Sequence, residues 1–127
     1  MPGQVMPRIA TTLHRVAVGG DESMRVNPER EKYSHHLTDL LSAVGYSHCF
    51  FVPGGNIMHL LDSARTRMTC VPVVHEVSAA VAAEYYVEIS DETRAYALVT
   101  AGPGITNALT GVAGAFLESH ECLVVGG

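Results

Sequence analysis

Apolar residues alternate between two spacings along the chain from Ser34 onward. In residues 34–44 they recur every three or four positions, which predicts a helix that Gly45 can end. In residues 49–52 they are consecutive, which predicts a buried strand. Asn56 is the predicted N-cap of a second helix. That second helix is predicted over 57–64, and two more helices over 76–88 and 105–118. Three further strands are predicted over 69–74, 95–100 and 122–125.

This order of elements determines the predicted fold class. Strands that are apolar throughout and separated by helices are typical of a parallel sheet covered by helices on both faces. We therefore predict an α/β fold with a doubly wound parallel sheet of about four strands. Gly126-Gly127 follow the fourth strand directly, where such a sheet normally continues. We expect an incomplete sheet, in a fragment or in a subunit that another chain completes, and association through its unpaired edge.

Residues 1–32 differ from the rest of the chain. They carry three of the six prolines, a Gly19-Gly20 pair and mixed charges without a sustained period. Such a composition predicts an N-terminal extension or a loosely attached arm. The folded domain is accordingly expected to cover residues 33–127.

Composition and charge exclude several classes of protein. The 127 residues are 47% apolar and 17% charged, which argues against a disordered chain. No run approaches the ~18 apolar residues of a membrane-spanning helix, and basic residues interrupt positions 1–20, so no secretion signal is predicted. A net charge of −5 disfavours general binding to nucleic acid. We expect neither a membrane nor a nucleic acid as partner.

The three cysteines indicate a reducing compartment. Cys49, Cys70 and Cys122 are odd in number, far apart, and each lies in an apolar run. This pattern is typical of small buried apolar side chains rather than of disulfides or zinc ligands. The expected setting is the cytoplasm.

Three segments converge where the predicted strands end. In open parallel sheets, ligands bind beyond the carboxyl ends of the strands, where the strand order reverses. Residues 53–56 and 100–104 are rich in glycine, which lets the backbone approach a planar ligand closely. Residues 74–76 add the carboxylate of Glu76, and Asn107 follows in the next helix.

Local sequence leaves two readings of Glu76 open. It is either a carboxylate favoured by the start of a helix, or a partly buried acid whose pKa is raised by desolvation so that it can hold a proton. The glycine-rich segments could likewise be simple turns, with Pro103 starting a helix. His75 is expected to pack or to cap. The remaining histidines have no partner at metal-ligand spacing, and we predict no metal site made by protein side chains alone.

Taken together, three stretches resemble the pyrimidine-binding (PYR) domain of thiamine-diphosphate enzymes, and most closely the acetolactate synthase and pyruvate oxidase group. They are FFVPGGNIMHLLDSAR (50–65), VPVVHEVSAAVAAEYY (71–86) and ALVTAGPGITNALTGVAGAFLESHECLVVGG (97–127). Three motifs in one order are more specific than any single loop.

The resemblance implies a function for the carboxyl edge of the sheet. Glu76 corresponds to the glutamate that hydrogen-bonds N1′ of the cofactor's aminopyrimidine and so promotes loss of the thiazolium C2 proton. The implied substrate is pyruvate or a similar 2-oxo acid. The other implied cofactor-binding residues are Pro53, Gly54, Thr100, Pro103 and Asn107.

The resemblance also implies partners. In this family Mg²⁺ holds the diphosphate through a Gly-Asp-Gly…Asn motif in a separate diphosphate-binding (PP) domain of the same or another chain. That motif does not occur here, since Gly20-Asp21 continues into Glu22. We therefore expect a partner PP domain, a homo-oligomer and no turnover by this chain alone. The resemblance allows FAD as a further cofactor without specifying it.

Two departures from the family pattern leave the reaction open. Val77 stands where many members have Gln, and residues 85–88 replace a Gly-Tyr-Ala-Arg helix ending. One alternative is the PYR subunit of a split 2-oxo acid decarboxylase. Another is a non-catalytic doubly wound module used for binding or assembly.

Overall fold

The computed structural model describes residues 32–127, which form four α-helices and four strands. The predicted extension over 1–32 lies outside the described residues, apart from Lys32. The strands are β1 (Tyr46–Phe51), β2 (Thr69–Pro72), β3 (Arg94–Val99) and β4 (Val124–Gly126). The helices are α1 (Tyr33–Ala43), α2 (Met58–Ala64), α3 (Glu76–Ile89) and α4 (Pro103–Glu118), with a 3₁₀ turn at Gly55–Ile57.

All strand pairs are parallel, in the order β2-β1-β3-β4. Cys49 of β1 lies between Cys70 of β2 and Tyr96 of β3. Among the described residues, β4 pairs with β3 alone. The predicted fold class is confirmed, with β2 and β4 as the edges of the four-stranded sheet.

The side chains of β3 point alternately to the two faces of the sheet, so the core has two layers. Successive strand residues point to opposite faces, and Tyr96 and Leu98 pack on one side with residues of α1, β1 and the 3₁₀ turn. Ala95, Ala97 and Val99 pack on the other side with the alanines of α3 and α4. Helices therefore cover both faces of the sheet, as predicted.

The face under α3 and α4 is built from small residues. Buried alanines of both helices lie against the sheet, and a Cβ placed on Gly111 would come within 2.5 Å of the Ala80 Cβ. Small side chains let the two helices approach each other closely. The close approach brings the first turns of α3 and α4 together.

One local prediction was wrong. Asn56 does not cap the second helix, since it lies inside the 3₁₀ turn and the N-cap position of α2 is Ile57, without a side-chain cap bond. The turn instead closes through its backbone, where the Ile57 N–H donates to the Gly54 carbonyl at 3.3 Å. Gly45 does follow the end of α1, at a φ of 96° that favours glycine.

A polar network joins the strands at their amino ends. The buried Tyr46 hydroxyl donates to the Glu121 carboxylate at 3.0 Å, and Arg94 lies 3.6 Å from the other carboxylate oxygen. Burial raises the pKa of Tyr46, so this hydroxyl keeps its proton. The network lies at the edge of the sheet opposite the glycine-rich segments.

The cysteines are free, and only Cys49 is fully buried. Burial raises its pKa to about 12, which keeps the thiol protonated and poorly nucleophilic. Cys70 and Cys122 are partly exposed. No helix in the described part of the chain is long and apolar enough to cross a membrane.

Candidate functional site

The strand order places the reversal point between β1 and β3. The chain leaves β1 toward β2 on one side and leaves β3 toward β4 on the other. In open parallel sheets this arrangement forms a crevice at the carboxyl ends of the two central strands. Residues 52–54 and 100–102 follow those ends directly.

Thr100 is enclosed by two glycines. A Cβ on Gly54 would lie 2.0 Å from Thr100 Cγ2, and a Cβ on Gly104 would lie 2.6 Å from Thr100 Oγ1. Gly54 has an extended backbone that any residue can adopt, so its requirement is purely steric. The Thr100 side chain thereby joins the loop after β1 to the start of α4.

The turn into α4 has the residues that its backbone requires. Gly102 adopts a φ of 68°, which side-chain-bearing residues rarely adopt. Pro103 follows as the first residue of α4, where a missing N–H is tolerated. Both Pro103 and the earlier Pro53 are exposed. The sequence-based reading of this segment as a helix-starting turn is confirmed.

His75 caps α3. Its backbone is extended, and its Nδ1 accepts a hydrogen bond from the Val77 N–H at 3.2 Å. Such a bond satisfies one of the free donors at a helix start. His75 is thus a cap, one of the two structural roles expected for it.

Glu76 is held by Asn107. The Asn107 side-chain amide donates to Glu76 Oε2 at 3.1 Å, joining the first turns of α3 and α4. Glu76 is partly exposed and Asn107 is exposed. The two residues are 31 positions apart in sequence, and both lie at the carboxyl edge of the sheet because each helix begins just after a strand.

The pKa of the Glu76 carboxyl group is lowered, not raised. The main cause is a hydrogen bond from its own backbone N–H at the helix start, followed by the bond from Asn107. Desolvation acts in the opposite direction but is smaller. Of the two interpretations that the sequence left open, the chain alone therefore fits the carboxylate favoured by the start of a helix.

The predicted site residues thus form two contact groups on one edge of the sheet. One consists of Gly54, Thr100 and the additional Gly104, and the other of Glu76 and Asn107. Pro53 and Pro103 flank the first group in sequence. Glycine after a strand was the signal for the first group, whereas nothing in the sequence indicated which residue would bond Glu76.

Gly127 is a neighbour of the site that sequence reasoning missed. A Cβ there would lie 2.5 Å from the Asn56 carbonyl oxygen, and its N–H donates to the Val99 carbonyl at 3.1 Å. The end of β4 therefore closes against the loop after β1. A glycine directly after a strand could have indicated this approach.

The donor set suits an aminopyrimidine. A carboxylate and a side-chain amide can respectively accept and donate hydrogen bonds with ring nitrogens and an exocyclic amine. The glycine-rich segments leave backbone without side chains beside them. Glu76, Asn107 and the backbone near Gly54 would be the groups that hold such a ring.

A second cluster lies away from this edge. The buried Glu84 carboxylate bonds His120 Nδ1 at 2.9 Å, and Glu118 Oε2 lies 3.8 Å from the same nitrogen. The three ligand atoms lie within 4.8 Å of one another, a grouping that the sequence did not indicate. Because the Glu84 bond already uses Nδ1, His120 is explained as the partner of a buried carboxylate.

Comparison with known families identifies the type of domain. The family model described as "Thiamine pyrophosphate enzyme, N-terminal TPP binding domain" matches residues 31–127. The chain belongs to this family. The match includes every element of the sheet and all six predicted site residues.

The relatives compared individually are acetolactate synthases and a 2-hydroxyacyl-CoA lyase. The chain is 36% identical to the acetolactate synthase large subunit of Buchnera aphidicola subsp. Acyrthosiphon pisum (strain APS), over 65% of this chain and 15% of that protein. It is 35% identical to the catabolic acetolactate synthase of Raoultella terrigena, over 79% of this chain and 19% of that protein. It is 37% identical to the human 2-hydroxyacyl-CoA lyase 2, over 72% of this chain and 15% of that protein. The aligned region thus spans less than a fifth of each of these relatives.

Proposed function

We propose that this chain is the pyrimidine-binding portion of a thiamine-diphosphate enzyme that acts on pyruvate or a similar 2-oxo acid, as acetolactate synthase does. The observation that carries the proposal is the position of Glu76, which Asn107 holds at the carboxyl edge of a doubly wound sheet. Family membership and the acetolactate synthase relatives support the same assignment.

In this proposal Glu76 is the catalytic residue of the chain. Its carboxylate accepts or shares the proton at N1′ of the aminopyrimidine, while Asn107 fixes the orientation of the carboxyl group. Pro53, Gly54, Thr100 and Pro103 shape the wall around the ring. When bound, thiamine diphosphate would supply a nucleophilic carbon for the 2-oxo group and an electron sink for the electron pair that decarboxylation releases.

Proton sharing requires a change in the surroundings of Glu76. In the chain alone, hydrogen bonds lower the pKa of its carboxyl group, and the group is partly exposed. Contact with the ring and with a covering domain would remove water and favour the protonated form. We therefore infer that Glu76 gains its working pKa only when a partner domain covers it.

The proposed partner is a diphosphate-binding domain from the same or another chain. That domain would hold Mg²⁺ and the diphosphate, for which this chain has no Gly-Asp-Gly…Asn motif. The working assembly would be a homo-oligomer, inactive as this chain alone. FAD is a further cofactor that the proposal allows without requiring it.

Glu76→Gln tests the catalytic assignment in the full assembly with its diphosphate-binding domain. We expect exchange of the C2 proton of thiamine diphosphate, followed by NMR in deuterated buffer, to slow by about 100-fold or more. Glu88→Gln is the matched control, since Glu88 is an exposed glutamate near the far end of the same helix. Unchanged exchange in Glu76→Gln would remove Glu76 from the mechanism.

Two alternatives give different results in binding experiments. A split 2-oxo acid decarboxylase predicts co-purification with a separate subunit that carries Gly-Asp-Gly…Asn. A non-catalytic assembly module predicts no stabilisation by the cofactor with any partner present. A bound cofactor at 100 times its dissociation constant would add about 2.7 kcal/mol to the free energy of unfolding, which a thermal shift detects.

A further inference from the structure

Four titratable side chains meet near the C-terminal ends of α3 and α4. Glu84 and Glu88 lie one turn apart on α3, Glu118 is the last residue of α4, and His120 follows two positions later. We name these four residues the His120 cluster. The candidate site lies where the same two helices begin, so the proposed function uses no member of the cluster.

His120 has carboxylates beside both of its ring nitrogens. Its Nδ1 lies 2.9 Å from Glu84 Oε1 and 3.8 Å from Glu118 Oε2. Its Nε2 lies 3.7 Å from Glu88 Oε2. The hydrogen bond to Glu84 accounts for Nδ1 in the chain alone, but it does not account for the two further carboxylates beside the same ring.

One oxygen of the buried Glu84 carboxylate has no hydrogen bond within the described part of the chain. Glu84 is only 2% exposed, and its hydrogen bond to His120 uses Oε1 alone. A carboxylate has two acceptor oxygens, and burying its charge is costly unless the charge is paired. Oε2 is therefore an acceptor inside the protein that His120 does not satisfy.

The charges of the cluster do not balance. Three carboxyl groups surround one imidazole, which carries at most one positive charge. A divalent cation would bring two positive charges to the same position, and a bound cation is often the largest local charge of a site. The cluster is therefore suited to a metal ion.

The spacing of the ligand atoms suits a tetrahedral ion. Zn²⁺ binds imidazole nitrogen and carboxylate oxygen at about 2.0–2.2 Å, which places two ligand atoms of a tetrahedron roughly 3.4 Å apart. The two distances from His120 Nδ1, 2.9 and 3.8 Å, lie on either side of this value. One ligand atom from each of Glu84, Glu118 and His120 lies within 4.8 Å of the others, so small side-chain movements would close the site.

We propose that Glu84, Glu118 and His120 bind one Zn²⁺ ion, with water as the fourth ligand. The ion takes the place of the hydrogen between His120 Nδ1 and Glu84 Oε1. His120 then carries its proton on Nε2, which faces the Glu88 carboxylate. A carboxylate on the second ring nitrogen is typical of zinc-bound histidines, so Glu88 orients the ligand and does not bind the ion.

The ion would connect the two helices that cover one face of the sheet. Glu84 belongs to α3, and the other two ligands lie at the end of α4 and just after it. Glu84 and His120 are 36 positions apart in sequence, which is why no local motif indicated the site. The inference goes beyond the proposed function, and its failure would leave that function unaffected.

Titration of the metal-free chain with Zn²⁺ tests the proposal. Isothermal titration calorimetry should give one Zn²⁺ per chain, with a dissociation constant in the micromolar range or below. Mg²⁺ should bind at least about tenfold more weakly, because it prefers oxygen ligands to imidazole. Co²⁺ in place of Zn²⁺ should show the visible absorption bands of a tetrahedral ion with nitrogen and oxygen ligands.

Glu118→Gln distinguishes this cluster from any other zinc ligands of the chain. The Glu118 side chain is 56% exposed, so its replacement should leave the fold intact. Loss of one of three protein ligands should weaken Zn²⁺ binding by at least about tenfold. Glu92→Gln is the matched control, since Glu92 is an exposed glutamate outside the cluster. Far-UV circular dichroism checks that both variants are folded.

Three results would overturn the proposal. The first is a chain that shows no saturable binding of Zn²⁺. The second is equal affinity for Zn²⁺ in Glu118→Gln and in the unchanged chain. The third is a thiolate-to-cobalt charge-transfer band in the Co²⁺ spectrum, since the ion would then be bound by cysteine and not by the His120 cluster.

Discussion

At the scale of single residues, two hydrogen bonds favour the ionised Glu76 carboxylate, first the one from its own backbone N–H and then the one from Asn107. Its amide hydrogen bond crosses from α4 to α3 and stabilises the ionised carboxylate. A lowered pKa contributes stability that is present above the ordinary value of 4.5 and is lost as the pH falls through the lower, folded value. In the proposed function, Asn107 would therefore be a positioning residue that acts through Glu76.

Asn107→Leu should raise the pKa of the Glu76 carboxyl group toward its ordinary value of 4.5, because one of the two bonds to the carboxylate is lost. NMR titration of the glutamate carboxyl carbons measures this directly in the chain without cofactor. Thr110→Ala, an exposed site further along α4, is the control. An unchanged titration of Glu76 in Asn107→Leu would contradict the assignment.

The close approach of Gly54 to the Thr100 side chain predicts an effect on stability. Gly54→Ala should destabilise the chain by about 1–3 kcal/mol through overpacking against Thr100 Cγ2. Thr100→Ser removes that methyl group and should restore part of the loss in the double variant. Urea unfolding measures both.

Gly55→Ala is the control for this pair. Nothing lies within 4 Å of a Cβ at Gly55, so this variant should unfold at nearly the same urea concentration as the unchanged chain. Equal destabilisation by the two alanine substitutions would show that Thr100 is not enclosed as described.

At the scale of elements, His120 connects α3 and α4 at the side away from the candidate site. This residue follows α4 and bonds the buried Glu84 of α3, with Glu88 and Glu118 nearby. Ser119, at a left-handed φ of 62°, turns the chain so that His120 reaches back to α3. The hydrogen bond to Glu84, and then the surrounding carboxylates, raise the pKa of His120.

The raised pKa predicts a pH dependence of stability. Protonated His120 contributes stability that is fully present below the ordinary pKa of 6.5 and is lost as the pH rises through the folded value. His120→Gln should flatten the fall in the free energy of unfolding above pH 6.5. His59→Gln, on the exposed side of α2, is the control. An identical pH profile for both variants would contradict the role of His120.

At the scale of the whole molecule, the two ends of the strands carry different groups. Asn107 bonds Glu76 at the carboxyl ends, where the candidate site lies. At the amino ends, Tyr46 and Arg94 contact the Glu121 carboxylate. We expect the proposed diphosphate-binding domain to cover the carboxyl edge, since that edge carries the proposed cofactor-binding residues.

The sequence by itself determined the order and type of the elements. Consecutive apolar residues at 49–52 and helical spacing at 34–44 depend on neighbours within a few positions, so they predict β1 and α1 well. The glycine-rich residues 53–56 and 100–104 likewise predicted turns at the carboxyl ends of two strands. Glu76 could be named because it begins a helix directly after a strand. Element ends and the Asn56 cap were less well predicted, because a 3₁₀ turn closed by backbone bonds competes with a side-chain cap.

Only the tertiary structure decided the chemistry of these residues. Asn107 adds to the lowering of the Glu76 pKa that the helix start begins, and the partner of buried Glu84 is His120. Both contacts join residues more than 30 positions apart, and no local pattern encodes them. They exist because parallel strands bring the starts of α3 and α4 to one edge of the sheet and the ends of these helices to the other.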